Sequence, residues 1–184
     1  MLDYLKIIDK YYRVGTRAYK ISVIHGVLVA NKALKIADKL GLSPEEKKFI
    51  EEAAMLHDIG VIKVESLKMD CVGDLPYIAH GVAGKEILLE EGLPKHAQVA
   101  ANHVGVGFTK EEIVEGSLPL PHEDLTPQNL AEEIITYADM FFSKREETLW
   151  KEDTYEEVIA DLKGYNYSID QIKKFEDWHA RFSV

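Results

Sequence analysis

Six side chains in this sequence are of the types that hold transition metals: His25, His57, Asp58, His80, His103 and Asp139. Imidazole nitrogens mixed with carboxylate oxygens suit iron, manganese, cobalt, nickel or zinc better than calcium or magnesium, and iron or manganese is the first choice. One divalent cation would use His25, His57, Asp58 and Asp139 and keep open positions for water and a phosphate. His80 and His103 would complete a second. Asp58 has two oxygens and can bridge cations about 3.5–4 Å apart, which gives it the catalytic assignment. Such cations lower the pKa of a bound water and neutralise phosphoryl oxygens, which is the chemistry of phosphoester and phosphoanhydride hydrolysis.

These residues must be brought together by helices. His25 lies between Ile21 and Leu28 or Val29, and His57 follows Ile50, Ala53 and Ala54. His80 precedes Ala83, Gly84 and Ile87; His103 follows Val99; Asp139 lies between Ile135 and Phe142. Residues three or four apart share a helix face, so each of these predicted helices points one metal-capable group inward. A lone buried histidine is more often a satisfied core residue, and Asp139 by itself could pair with Arg17 or Lys32. A whole set of such positions favours a cation, because a buried carboxylate must neutralise or find one. His57 and Asp58 are about 100° apart around a helix and converge only on an ion lying off its end. Gly60 is expected to end that helix, with the negative end of its dipole beside the ion.

Helical periodicity runs through the chain and no segment sustains period-two alternation, so the fold class is all-α. One helix is predicted from Arg17 to Leu40, stopped by Gly41. Ser43, Pro44 and Glu46 start the next with a cap, a first-turn proline and a capping-box acid. Residues 61–78 read as a short helix and loop. Further helices are expected from Ile78 to Glu91 and from Pro94 to near His103. Gly105 to Thr126 reads as a long loop around a short helix at Lys110 to Val114. Thr126 and Pro127 then open a long helix through Lys144, and two more follow, the last started by Ser168 and Gln171.

The chain of 184 residues is 46% hydrophobic and 29% charged, which fits one domain with a full core. Its single cysteine, Cys71, excludes an internal disulfide and a thiolate cluster. No signal peptide and no run of ~18 apolar residues is present, so no membrane partner and a cytoplasmic location are expected. The net charge of −10 argues against duplex nucleic acid, whose binding depends on neutralising phosphates. A small phosphorylated substrate remains compatible, since bound cations reverse the local field. Oligomeric state is left open.

The order of His25, then Leu56-His57-Asp58-Ile59-Gly60, then His80, His103 and Asp139 resembles the HD-domain superfamily of metal-dependent phosphohydrolases over about residues 20–145. The resemblance implies a single helical-bundle domain across residues 1–184 with a central metal site, the helices of 153–184 packing on the core. It implies hydrolysis of a nucleotide or another small phosphate ester or anhydride. His80-Gly81-Val82-Ala83-Gly84-Lys85 and Asn102-His103 look most like the dinuclear bacterial diadenosine tetraphosphate hydrolases. The Gly-Tyr-Pro motif of cyclic di-GMP phosphodiesterases is missing. Many relatives have lysine directly after the His-Asp-Ile-Gly motif; here Val61 stands there and Lys63 follows two residues later. Lys63, Lys144 and Arg145 are the substrate-binding candidates. The superfamily also includes di-iron oxygenases with the same ligands, and a non-catalytic nucleotide-binding module is a further alternative. His96, His122 and His179 are left out of the site, and the aromatic residues at helical spacing read as core.

Overall fold

The computed structural model describes residues 2–184; Met1, the first residue of the amino-terminal stretch, lies outside them. The helices are α1 (Tyr4–Tyr11), α2 (Arg17–Lys39), α3 (Pro44–Leu56), α4 (His80–Glu90), α5 (Pro94–Asn102), α6 (Lys110–Glu115), α7 (Leu130–Asp139), α8 (Tyr155–Gly164) and α9 (Ile169–Phe182). The all-α expectation holds. Ser43 and Glu46 form their reciprocal capping box on α3, and Ser168 and Gln171 do the same on α9. Each satisfies backbone N–H groups that a helix start leaves without intrahelical partners.

Two stretches differ from their sequence reading. Residues 61–78 contain a 3-10 turn (Ile59–Lys63), a small antiparallel ribbon of β1 (Glu65–Ser66) and β2 (Cys71–Val72), and a second 3-10 turn (Tyr77–Ala79). Strands of two residues are too short to show alternation, so the ribbon is invisible to periodicity. The second turn delays the start of α4 to His80. The helix expected from Thr126 to Lys144 is shorter at both ends. Its cap is Asn129, whose side chain accepts from the Glu132 N–H, while the Thr126 carbonyl and hydroxyl both accept from Gln128 Nε2. Beyond Asp139 the chain extends, because Phe142 pairs with Glu152 in an isolated β-bridge and the Phe141 carbonyl accepts from Asp153 N–H.

The core follows from the apolar faces of these helices. Ile21, Val29, Ala33 and Ile36 of α2 meet Ile50, Ala53 and Leu56 of α3 and Ile134, Ile135 and Ala138 of α7 in one buried cluster. α4 and α5 pack on each other, and α9 adds Phe175, Trp178 and Phe182. Tyr137 of α7 stacks on Phe175 with centroids 5.5 Å apart and meets Phe182 edge-on at 5.6 Å. A buried carboxylate joins α5 to α7. Glu132 accepts hydrogen bonds from Asn102 Nδ2 (2.9 Å), Gln128 N (3.0 Å) and Asn129 Nδ2 (2.6 Å), which fixes the end of α5 against the start of α7.

Gly60 is required by close approach. A Cβ on Gly60 would overlap the His80 carbonyl oxygen and the Gly84 nitrogen, so the turn after the His-Asp doublet can lie flat on the first turn of α4. Among the described residues no helix is long and apolar enough to cross a membrane.

Candidate metal centre

Helix ends place most of the candidate ligands. His25 is the exception, in the middle of α2. His57 caps the carboxyl end of α3 and Asp58 follows it into the 3-10 turn; His80 opens α4; His103 caps α5; Asp139 is the last residue of α7. The expectation that His57 and Asp58 meet an ion off the end of their helix agrees with this placement, with α3 stopping at Leu56 rather than near Gly60. The placement has an electrostatic consequence. The carboxyl ends of α3, α5 and α7 converge, each bringing roughly −0.5 of an elementary charge toward a cation.

The side chains form two groups that share Asp58. In the first, His25 Nε2 is 2.8 Å from Asp139 Oδ1 and 3.3 Å from Asp58 Oδ2, while His57 Nε2 is 3.3 Å and 3.4 Å from the same two oxygens. In the second, His80 Nε2 and His103 Nε2 are each 3.4 Å from Asp58 Oδ1 and 3.1 Å from each other. Ligand atoms ~2.1 Å from one ion at octahedral or tetrahedral angles lie ~3.0–3.4 Å apart, so both groups have the spacing of a coordination sphere. Asp58 turns one oxygen to each. Neither oxygen has a hydrogen-bond partner although both are buried, an expensive state that a cation relieves.

The backbone prepares three of the imidazoles. Nδ1 of His57, His80 and His103 lies 2.6, 2.7 and 2.8 Å from the carbonyl oxygens of Ala54, Tyr77 and Ala100. A carbonyl only accepts, so Nδ1 carries the proton and Nε2 keeps its lone pair for the centre, the outer support usual for metal-bound histidine. A cluster of this composition is suited to a divalent metal.

Lys144 supplies the nearest fixed positive charge. Its Nζ is 2.8 Å from Asp58 Oδ2, in contact but outside hydrogen-bond geometry, and 3.7 Å from Asp139 Oδ1. Burial pushes both carboxyls upward, yet the ammonium and the surrounding imidazoles hold both well below the usual carboxylate range. Lys144 itself, despite burial, is held well above the ordinary lysine value by Asp139 and Asp58. His25 is lowered to about 4 by burial and then by Lys144, and His80 to about 3, chiefly by burial. For His57, burial is outweighed by Asp58 and Asp139 and the pKa rises.

Two clefts meet beside this centre. One, of about 640 Å³, is lined by His80, His103, Asp139 and Lys144 together with Phe108 and Tyr167. The other, of about 870 Å³, runs past Ser66, Lys68, Arg145 and Lys151. They share Lys68, Tyr77, Lys144 and Tyr165. Of the substrate-binding candidates, Lys144 reaches the ligands and Arg145 lines the wider cleft, whereas Lys63 is exposed and lines neither. Lys68, which sequence reasoning passed over, stands at the junction because the ribbon's turn carries it there. His96 lies away from the centre, with Nε2 3.7 Å from Glu52; His122 is exposed; His179 Nδ1 is 2.8 Å from the Tyr137 hydroxyl.

Tyr12 was also missed. It is 1% exposed, and its hydroxyl lies 3.3 and 3.2 Å from the carbonyl oxygens of Asp58 and Ile59 while accepting from Ile62 N–H at 3.0 Å. It braces the turn that carries Asp58, from a position far upstream that no local pattern marks.

A helical bundle whose helix ends gather histidines and aspartates around a shared carboxylate defines a class of metal-centred domains. The chain belongs to the HD-domain family, whose pattern matches residues 23–142, a span that includes His25 through Asp139. It is 38% identical over 144 residues to an uncharacterized protein of Methanocaldococcus jannaschii, an alignment covering 77% of this chain and 70% of that one. It is 30% identical over 137 residues to a tRNA (cytidine(56)-2'-O)-methyltransferase of Thermoplasma volcanium, covering 74% of this chain but only 35% of the methyltransferase. Among solved structures, the HD domain of the L. monocytogenes phosphodiesterase PgpH superposes with a TM-score of 0.54 at 18% identity, covering 97% of this chain and 95% of that one. A second structure of that domain, in complex with cyclic-di-AMP, matches with the same TM-score of 0.54 at 17% identity, covering 97% of this chain and 94% of that one. At these identities the likeness concerns the fold.

Proposed function

We propose that the protein is a metal-dependent phosphohydrolase acting on a nucleotide or another small phosphate ester or anhydride, with residues 1–184 working as one HD domain in the cytoplasm. The observation that carries this reading is the division of Asp58, with Oδ2 toward His25, His57 and Asp139 and Oδ1 toward His80 and His103. His25, His57, Asp58 and Asp139 would hold one divalent transition metal, iron or manganese first, and Asp58, His80 and His103 a second. When bound, such metals supply Lewis acidity that acidifies water and neutralises phosphoryl oxygens.

The chain's own groups do the rest. Lys144, kept protonated by the two aspartates, puts a permanent cation beside the ligands, where an anionic phosphoryl group can pair with it. Arg145 and Lys68 continue positive charge along the joined clefts, while Lys63, the third substrate-binding candidate, lines neither. The Nδ1 hydrogen bonds of His57, His80 and His103 hold the rings in one orientation, so the ligands need not reorganise as charge develops.

The test is elemental analysis of the purified protein together with a phosphate-release screen over nucleotides and dinucleoside polyphosphates, with and without chelator. Asp58→Ala is expected to lose both bound metal and turnover. Turnover that survives chelation or this substitution rejects the reading.

A further inference from the structure

The junction of the two clefts is bordered by two lysines and two tyrosines, and one of those tyrosines has no packing role. Tyr165 is 68% exposed and stacks on no other ring among the described residues, although it lines both clefts beside Lys68 and Lys144. We propose that the turn joining α8 to α9 is a nucleobase subsite, in which the Tyr165 ring stacks on the base of a nucleotide whose phosphates reach Lys144. This rests on the phosphohydrolase reading and narrows its substrate to compounds carrying a base.

The turn holds in place the backbone that carries the ring. Tyr165, Asn166 and Tyr167 each donate a backbone N–H to a carbonyl of α8, at 2.9 Å to Asp161, 3.1 Å to Lys163 and 3.1 Å to Leu162. Asn166 takes the left-handed conformation (φ +59°) that reverses the chain between Tyr165 and Tyr167. Tyr167 anchors the turn from below: its ring stacks on Phe108 with centroids 6.1 Å apart, and its hydroxyl fills the space over Gly105. With the backbone fixed in advance, only the side-chain torsions of Tyr165 are ordered when a ligand lands on the ring. Tyr77, 42% exposed and lining both clefts, is a second ring at the same junction.

The pattern of charge sets the orientation of the ligand. Lys144 is tied to Asp58 at the metal centre, so phosphate binds at the inner end. The wider cleft also carries Glu157, which is paired with Lys151, and Asp161, whose carboxylate can accept hydrogen bonds from a base. A nucleotide with its phosphates toward Lys144 and its base on Tyr165 fits this layout. Tyr165 falls outside residues 23–142, so the subsite is added to the family's core by the carboxyl-terminal helices.

The experiment is calorimetric titration of the full chain loaded with manganese. The probes are the α,β-methylene diphosphates of adenosine and cytidine, and methylenediphosphonate, which has the same phosphorus core and no nucleoside. Base–aromatic stacking predicts that the nucleoside forms bind roughly 5- to 150-fold more tightly in the wild type. Tyr165→Ala should remove that preference while Tyr165→Phe keeps it. Affinity for methylenediphosphonate and the melting midpoint should stay unchanged in both variants. Equal affinities in the wild type, or a preference unchanged in Tyr165→Ala, overturn the subsite and leave the phosphohydrolase reading standing. Failure of both nucleoside probes to bind would also overturn the subsite, whereas the phosphohydrolase reading stands or falls with the phosphate-release screen.

Discussion

At the scale of single residues, Asp58 depends on a neighbour that makes no contact with its carboxylate. The Tyr12 hydroxyl meets the carbonyls of Asp58 and Ile59 and accepts from Ile62 N–H, so Tyr12→Phe removes these contacts, while the Asp58 carbonyl keeps its bond from Val61 N–H. The expected cost is roughly 1–3 kcal/mol in urea unfolding, with weaker metal retention on dialysis. Acidity gives a second expectation. In chelator-treated protein His25 and His80 titrate near 4 and 3 rather than 6.5, so between those values and 6.5 the unfolded chain binds more protons. Stability should therefore fall as pH drops below about 6.5, partly offset by His57, whose raised pKa acts in the opposite sense. A melting midpoint that rises on acidification from pH 7 to pH 5 would contradict the burial of these two rings. The ligand candidates were legible in the sequence because each follows or precedes apolar residues at helical spacing. Tyr12 and Lys68 were not, since one acts across 46 positions and the other rides on a ribbon too short to leave a pattern.

At the scale of elements, the site is assembled by where helices stop. Gly60 lets the turn after the doublet lie against α4, and this contact sets Asp58 at 3.4 Å from His80. Gly60→Ala should force the two apart, destabilise by roughly 1–3 kcal/mol as overpacking does, and reduce metal stoichiometry by elemental analysis before it affects helix content by circular dichroism. Starts with a capping residue were readable in advance: Ser43 and Ser168 announce their helices by type and by the acid or amide three residues on. Ends set by tertiary contacts were not. The helix carrying Asp139 closes early because Phe142 pairs with Glu152, a contact between segments that local propensity does not encode.

At the scale of the whole molecule, a net charge of −10 surrounds a centre where carboxylates and helix carboxyl ends already crowd together. Cations that bind the folded chain and not the unfolded one should stabilise it by about 2.7 kcal/mol per site at a hundredfold excess over Kd. Differential scanning calorimetry with manganese, before and after chelation, should show that gain, and Asp58→Ala should show none of it. The clefts add a different consequence. Their floor, His80, His103 and Asp139, comes from the stretch shared across the family, while much of the outer wall, from Lys151 through Gln171, comes from the chain that follows it. Inheritance can therefore act on the two separately: drift in the later stretch can retune what is admitted without disturbing the chemistry beneath, and exchanging it between descendants would transplant preference while leaving competence in place.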